Sequence, residues 1–138
     1  MEKDRNIKYF IVDDDADDRE FFQIALDIAG FPYNLTAVES AVKALEILPE
    51  LKDLPDYIFL DLNMPLVSGK EFLKILRESS AFSHVPVIIF STSSYNKDIE
   101  ETKVLGANHF MSKTPDIDRL SEIIADIVTK KEMPFVIT

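Results

Sequence analysis

The sequence contains no cysteine. Disulfides, thiolate chemistry and cysteine-based zinc sites are therefore excluded. Histidine is nearly as scarce: His84 and His109 stand far apart in the chain and leave little for a histidine-rich metal site. With 3 glycines and 7 prolines the chain is neither low-complexity nor collagen-like, and no repeat of solenoid period is present. No apolar run approaches a membrane span, and the opening MEKDRNIKYF lacks the apolar core of a signal peptide. The cytoplasm is the expected compartment. Positive charge is also in short supply. Fifteen basic against 25 acidic residues give a net charge of −10, which opposes nonspecific binding to phosphate backbones and anionic lipids. Neither direct nucleic-acid binding nor a membrane partner is expected.

What is present suits one globular domain. The 138 residues are 46% hydrophobic and 10% aromatic, enough for a sizeable core. Short apolar runs at residues 9–12, 35–38, 57–60, 85–90 and 108–111 predict strands. Segments of helical period alternate with them. The first begins near Ala16, stops at Gly30 and Pro32, and offers Phe21, Ile24, Ala25 and Ile28 as its core face. The second follows Ser40 as N-cap, with Ala41, Ala44, Leu45 and Leu48 on one face. The third follows Ser68 and Gly69 and turns Phe72, Ile75 and Leu76 inward. The fourth runs over residues 97–105 to Gly106, and the fifth over 117–131 with Leu120, Ile123, Ile124 and Ile127. Five β–α repeats imply an α/β fold, a parallel sheet covered by helices on both faces.

In such sheets ligands bind beyond the carboxyl ends of the strands. Asp13 and Asp14 follow the first run, Asp61 the third, Ser91 and Thr92 the fourth, and Lys113 comes just after the fifth. Each alone has a bland reading as a cap or a solvated surface group. Together they bring three carboxylates, a hydroxyl and an ammonium to one edge. Crowded carboxylates repel and raise a pKa unless a cation is near. An oxygen-only set with few ligands suits Mg²⁺, with Mn²⁺ as an alternative. The lysine supplies a point charge for a phosphoryl oxygen, the hydroxyl a donor, and a carboxylate beside them a nucleophile toward phosphorus. A calcium loop starting at Asp13 fails, because its sixth place holds Asp18 and its twelfth Ile24. The rest of the acidic run is expected to serve a helix: Asp15 as N-cap, Asp17 and Asp18 in the first turn.

Taken in order, IVDDD, FLDLNMPLVSGKEFL, PVIIFSTS and GANHFMSK make the chain resemble the receiver domain of bacterial two-component response regulators. The resemblance covers about residues 7–129 of a single domain, 1–138, with 132–138 as an apolar tail. It implies a flavodoxin-like doubly wound (βα)5 fold with five parallel strands in the order 2-1-3-4-5. Asp61 would be the phosphoacceptor, loaded by a sensor histidine kinase or a phosphotransfer protein. Asp14, Asp61 and the Asn63 backbone carbonyl would ligate Mg²⁺, with Asp13 acting through water. Ser91 matches the switch hydroxyl, Phe110 the aromatic switch position and Lys113 the family lysine, with Thr92 beside them in the active-site loop. A downstream protein would read the face of the fourth helix, fifth strand and fifth helix, and a homodimer is a further expectation; the apolar tail at Pro134, Phe135, Val136 and Ile137 is expected to dock on its own domain, with strand pairing or a dimer contact as the alternatives. The chain would accept a phosphoryl group and dephosphorylate itself without turning over free substrates. With only MPFVIT after the last helix, no output domain is expected.

One departure is clear. Proline usually follows the lysine directly, whereas here the order is Lys113, Thr114, Pro115. A cis bond before Thr114 would cost roughly 3–4 kcal/mol, so the loop either carries that strain or takes another path. Two rival readings are a phosphorylation-independent module of the same fold and a Mg²⁺-dependent phosphohydrolase. The latter wants an acid two places after Asp61, where Asn63 stands.

Overall fold

The computed structural model describes residues 6–138. Its elements alternate as the periodicity requires: β1 (Ile7–Val12), α1 (Ala16–Ala29), β2 (Tyr33–Val38), α2 (Ala41–Ile47), β3 (Tyr57–Leu60), α3 (Gly69–Glu78), β4 (Val87–Ser91), α4 (Asn96–Leu105), β5 (His109–Ser112), α5 (Ile117–Thr129) and a two-residue β6 (Val136–Ile137). A 3₁₀ turn, Leu48–Glu50, extends α2. The sheet is parallel throughout, in the order β2-β1-β3-β4-β5-β6. The expected five-strand order is present, with one strand added at its β5 edge.

Strand side chains alternate between two cores. Tyr9, Ile11, Phe59, Ile88, Phe90 and Met111 point to the side covered by α1 and α5. Phe10, Val12, Ile58, Leu60, Ile89 and Phe110 point to the other, where α2 and α3 pack. Both surfaces are apolar because helices cover both.

The helix ends follow from their caps. Asp15 accepts from the Asp17 and Asp18 amides to start α1, and Gly30 closes it in the left-handed region at φ 86°. Ser40 caps α2, and Ser68 with Glu71 forms a reciprocal capping box on α3. Gly106 ends α4 at φ 104°.

Two helix faces differ from those the spacing suggests. In α1 the buried residues are Phe22, Ala25 and Leu26, while Ile24 and Ile28 are 43% and 48% exposed. The helix carries two apolar stripes, and the sheet takes the one whose Phe22 ring meets Tyr9, Phe59 and Phe90. In α3, Leu73 is buried beside Phe72 and Leu76, and Ile75 lies 42% exposed. The remaining expected faces are seen, including Leu120, Ile123, Ile124 and Ile127 of α5. Pro86 stands just before β4 rather than inside it, and its carbonyl accepts from Ile58 N–H at 2.9 Å.

The apolar tail folds back on its own domain. Phe110 N–H donates to the Phe135 carbonyl at 2.8 Å, Ile137 is buried, and the Lys103 ammonium lies 5.5 Å from the centre of the Phe135 ring. Pairing of Val136 and Ile137 with β5 covers an edge that would otherwise expose unpaired amides.

Candidate functional site

Parallel strands end together, so the residues following them meet at one rim of the sheet. Asp13 leaves β1 with its amide bonded to the Val38 carbonyl at 3.1 Å, and Asp61 leaves β3 with its amide bonded to the Val12 carbonyl at 3.0 Å. Both side chains are buried, Asp13 at 1% and Asp61 at 6% exposure, while Asp14 faces solvent. Carboxylate oxygens of Asp13, Asp14 and Asp61 lie within 4.8 Å of one another. The three expected carboxylates do converge.

The loop after β3 is held by a close approach of backbones. Gly69 N–H donates to the Leu62 carbonyl at 3.0 Å. A Cβ on Gly69 would fall 2.3 Å from the Asp61 carbonyl oxygen and 2.7 Å from Leu62 Cα. Only glycine lets α3 start this near Asp61. On the way, Leu66 adopts φ 69° and lies 91% exposed.

Lys113 enters from the loop after β5, its amide bonded to the Ser91 carbonyl at 2.8 Å. The Lys113–Thr114 bond is trans, with no cis peptide among the described residues. The loop has taken the other path, and the lysine still reaches the rim. Its ammonium lies 2.8 Å from Asp13 Oδ2, 2.8 Å from Asp18 Oδ2 and 3.9 Å from Asp61 Oδ1. Asp18 is the site residue that the sequence does not announce. Spacing places it in a first helical turn, where an acid has a complete explanation in the helix dipole.

Ser91 is the last residue of β4 and is fully buried, its Oγ accepting from Ser93 N–H at 3.3 Å. Ser93 Oγ in turn donates to Asp98 Oδ2 at 2.5 Å, and Asp98 and Glu101 of α4 bind Lys70 of α3 at 2.6 and 2.5 Å. The Ser91 hydroxyl is thus tied into a chain that spans α3 and α4. Thr92 is exposed and borders an opening that also touches Asp18, Phe21 and Lys113. Phe110 is not at the rim. Its ring is core on the α2–α3 side, and its backbone holds the tail.

Burial raises the Asp61 carboxyl to about 6, against the pull of Lys113 and with the push of Asp13 and Asp14; the Asn63 amide draws it down again. Asp13 is also raised, first by burial. Burial opposes the charge on Lys113, but its contacts with Asp13 and Asp18 leave that ammonium held above its ordinary value. One cation among four acids does not satisfy them all. Asp13 Oδ2 is buried, and the near partner it has is the Lys113 ammonium at 2.8 Å, which it shares with Asp18. Three carboxylates within 4.8 Å of one another, two of them buried and sharing one ammonium, fit a hard divalent cation.

The sequence profile described as Response regulator receiver domain matches residues 9–125. The two-component response regulator ARR15 of Arabidopsis thaliana is 36% identical over 125 residues, which are 82% of this chain and 60% of that protein. The chain therefore spans about three fifths of that relative's length. The crystal structure of the phosphorylated cyanobacterial phytochrome response regulator RcpA superimposes with a TM-score of 0.83 at 27% identity, over 94% of this chain and 99% of the other. The Mn²⁺-bound form of response regulator Rcp1 shares the fold at a TM-score of 0.79 and 21% identity, over 93% and 99% of the two chains.

Proposed function

The chain belongs to the response regulator receiver domain family, a family of phosphorelay signalling, and from that membership we propose that Asp61 accepts a phosphoryl group in a Mg²⁺-dependent reaction. The observation that carries the proposal is the approach of the Lys113 ammonium to within 3.9 Å of a buried Asp61 whose neighbours are Asp13 and Asp14. Asp61 Oδ attacks phosphorus, the bond from phosphorus to the donor's imidazole nitrogen breaks, and its electron pair stays with that imidazole. Lys113 answers the charge on the transferred group, and Ser91 turns from Ser93 N–H to donate its hydroxyl. Asp13, Asp14, Asp61 and the Asn63 carbonyl would hold Mg²⁺, which when bound neutralises charge on the acceptor and the incoming phosphoryl oxygens. That a solved neighbour of the same fold holds Mn²⁺ agrees with such a donor set.

Donors of this class are sensor histidine kinases or phosphotransfer proteins. The reading assigns self-dephosphorylation but no turnover of free phosphomonoesters, because the amide of Asn63 has no acid proton to give a leaving group. When Ser91 turns, Ser93 and its bond to Asp98 are disturbed, and α4 shifts against β5 and α5. A downstream protein would read that altered face. No helix among the described residues is long and apolar enough to cross a membrane, and the working place proposed is the cytoplasm.

The test is treatment with acetyl phosphate or beryllofluoride, with and without Mg²⁺. The expected result is the mass increase of one phosphoryl group, or a beryllofluoride adduct, requiring Mg²⁺ and lost in Asp61→Asn. A wild-type chain that shows no Mg²⁺-dependent change sinks the proposal.

A further inference from the structure

Lys113 has more acidic company than phosphoryl transfer needs. Asp13 belongs to the carboxylate triad, but Asp18 does not, and the reaction described above leaves it without a part. Nevertheless Asp18 Oδ2 accepts a hydrogen bond from Lys113 Nζ at 2.8 Å and lies as near the ammonium as Asp13 Oδ2 of the triad. Asp61, the group the ammonium must serve, stands farther away at 3.9 Å. The placement of Asp18 is built in. It lies one helical turn before Phe22, which is fully buried against the sheet, so the packing of α1 aims this carboxylate at the rim.

We propose that Asp18 is a positioning residue that holds the Lys113 ammonium back from Asp61 and so sets how readily the acceptor is loaded. The inference rests on the phosphoacceptor reading. To reach a phosphoryl oxygen on Asp61, the ammonium has to loosen its contact with Asp18, and that loss offsets part of the charge stabilisation. Loading forms the Asp61 Oδ–phosphorus bond and breaks the bond from phosphorus to the donor's leaving atom, which keeps the electron pair. Lys113 is engaged in the transition state and the product but not at the start, so the contact with Asp18 slows loading. Hydrolysis begins after the ammonium has moved. Water oxygen attacks phosphorus, the phosphorus–Asp61 bond breaks, its pair returns to the carboxylate, and the water protons leave with inorganic phosphate and solvent. Lys113 serves both ends of that step, so Asp18 has little effect on decay.

Asp17 provides the control. It carries the same charge one residue away and is exposed, its backbone amide donates to the Asp15 cap as that of Asp18 does, and its carboxylate makes no ion pair with Lys113. The full chain, as wild type, Asp18→Asn, Asp17→Asn and Asp18→Glu, is titrated with beryllofluoride in saturating Mg²⁺. Loading from acetyl phosphate and the subsequent decay are timed on the same proteins. Asp18→Asn should bind beryllofluoride about threefold tighter and load about threefold faster, the scale of a partly exposed ion pair, with unchanged decay. Asp17→Asn should match wild type, and Asp18→Glu should return toward it. In metal-free protein the Lys113 ammonium resonance should move in Asp18→Asn and stay in Asp17→Asn. Equal gains in both asparagine variants would mean bulk charge is responsible, and would overturn the inference. So would a responsive wild type with an unresponsive Asp18→Asn. A wild type that takes up no beryllofluoride with Mg²⁺ overturns the phosphoacceptor reading itself and this inference with it.

Discussion

Without a divalent cation, Asp61→Asn should make the protein more stable at neutral pH, although it removes the proposed acceptor. The carboxyl is 6% exposed and has Asp13 and Asp14 as neighbours, and burial raises it to about 6 from an ordinary 3.8. A raised carboxyl holds its proton in the folded chain after the unfolded chain has released it. Stability from this group therefore falls as pH rises from 3.8 toward 6 and is flat above that range. At full effect the difference corresponds to about 3 kcal/mol, and relaxation of the rim brings the expected gain for the isosteric amide to roughly 1–3 kcal/mol. The gain should shrink to about half at pH 5 and to about a fifth at pH 4. Asp13 is raised too and pushes the wild type the same way. Asp98 is lowered by Lys70 and Ser93, so its stabilisation is lost only below the ordinary carboxylate range, outside the window of the test.

Urea unfolding of wild type and Asp61→Asn at pH 8, 5 and 4, in chelator and again in excess Mg²⁺, measures both parts. In chelator the two curves should converge as pH falls. In Mg²⁺ the order should reverse, because a ligand of the folded state stabilises the chain that keeps its donors. Curves separated by the same amount at every pH, or a wild type already the more stable at pH 8 in chelator, would refute the claim that Asp61 is buried against its own charge.

Gly69→Ala should cost roughly 2–4 kcal/mol and weaken Mg²⁺ binding together, since the added methyl meets the Asp61 carbonyl at 2.3 Å and something in that loop has to move. Calorimetric melting and Mg²⁺ titration check both, and loss of stability with unchanged metal affinity would separate the loop from the Asp61 site. Arg77→Ala should cost roughly 2–4 kcal/mol by unfolding assay while leaving beryllofluoride uptake intact. The guanidinium donates to the Gly106 and Val85 carbonyls and to Asn108 Oδ1 at 2.8–3.0 Å, joining α3 to the starts of β4 and β5, far from the rim.

How much of this was legible follows from what each residue depends on. Asp13, Asp61, Ser91 and Lys113 are placed by the ends of strands, and a strand end can be read wherever an apolar run stops. In a parallel sheet those ends meet at one rim whatever the helices do. The strand added by the tail depends instead on an edge being free. Nothing within residues 132–138 states that the β5 edge is open, so an apolar composition favours docking on the chain's own domain without fixing that the tail pairs there as a strand. Likewise the trans path of the loop after Lys113 is set by what it packs on, and the displaced proline shows only that the usual path is altered.

The two misses in α1 have one cause. Its apolar residues form two stripes, Phe21 with Ile24 and Ile28, and Phe22 with Ala25 and Leu26, and spacing fits either. The choice rotates the whole helix. With the first stripe inward, Asp17, one turn before Phe21, would stand over the rim. With the second inward, as observed, that place goes to Asp18. The stripe is decided by whether a ring at position 21 or 22 fits among Tyr9, Phe59 and Phe90, contacts between residues remote in the chain. The carboxylate that meets Lys113, 95 residues away in sequence, is therefore selected by aromatic packing under the helix and not by any motif around the lysine. It follows that repacking the core can act on the site. Phe22→Leu, by loosening the phase of α1, should weaken the Asp18–Lys113 contact and move the Lys113 ammonium resonance as Asp18→Asn does. An unmoved resonance in a folded Phe22→Leu protein would show that the first turn is held by its cap alone.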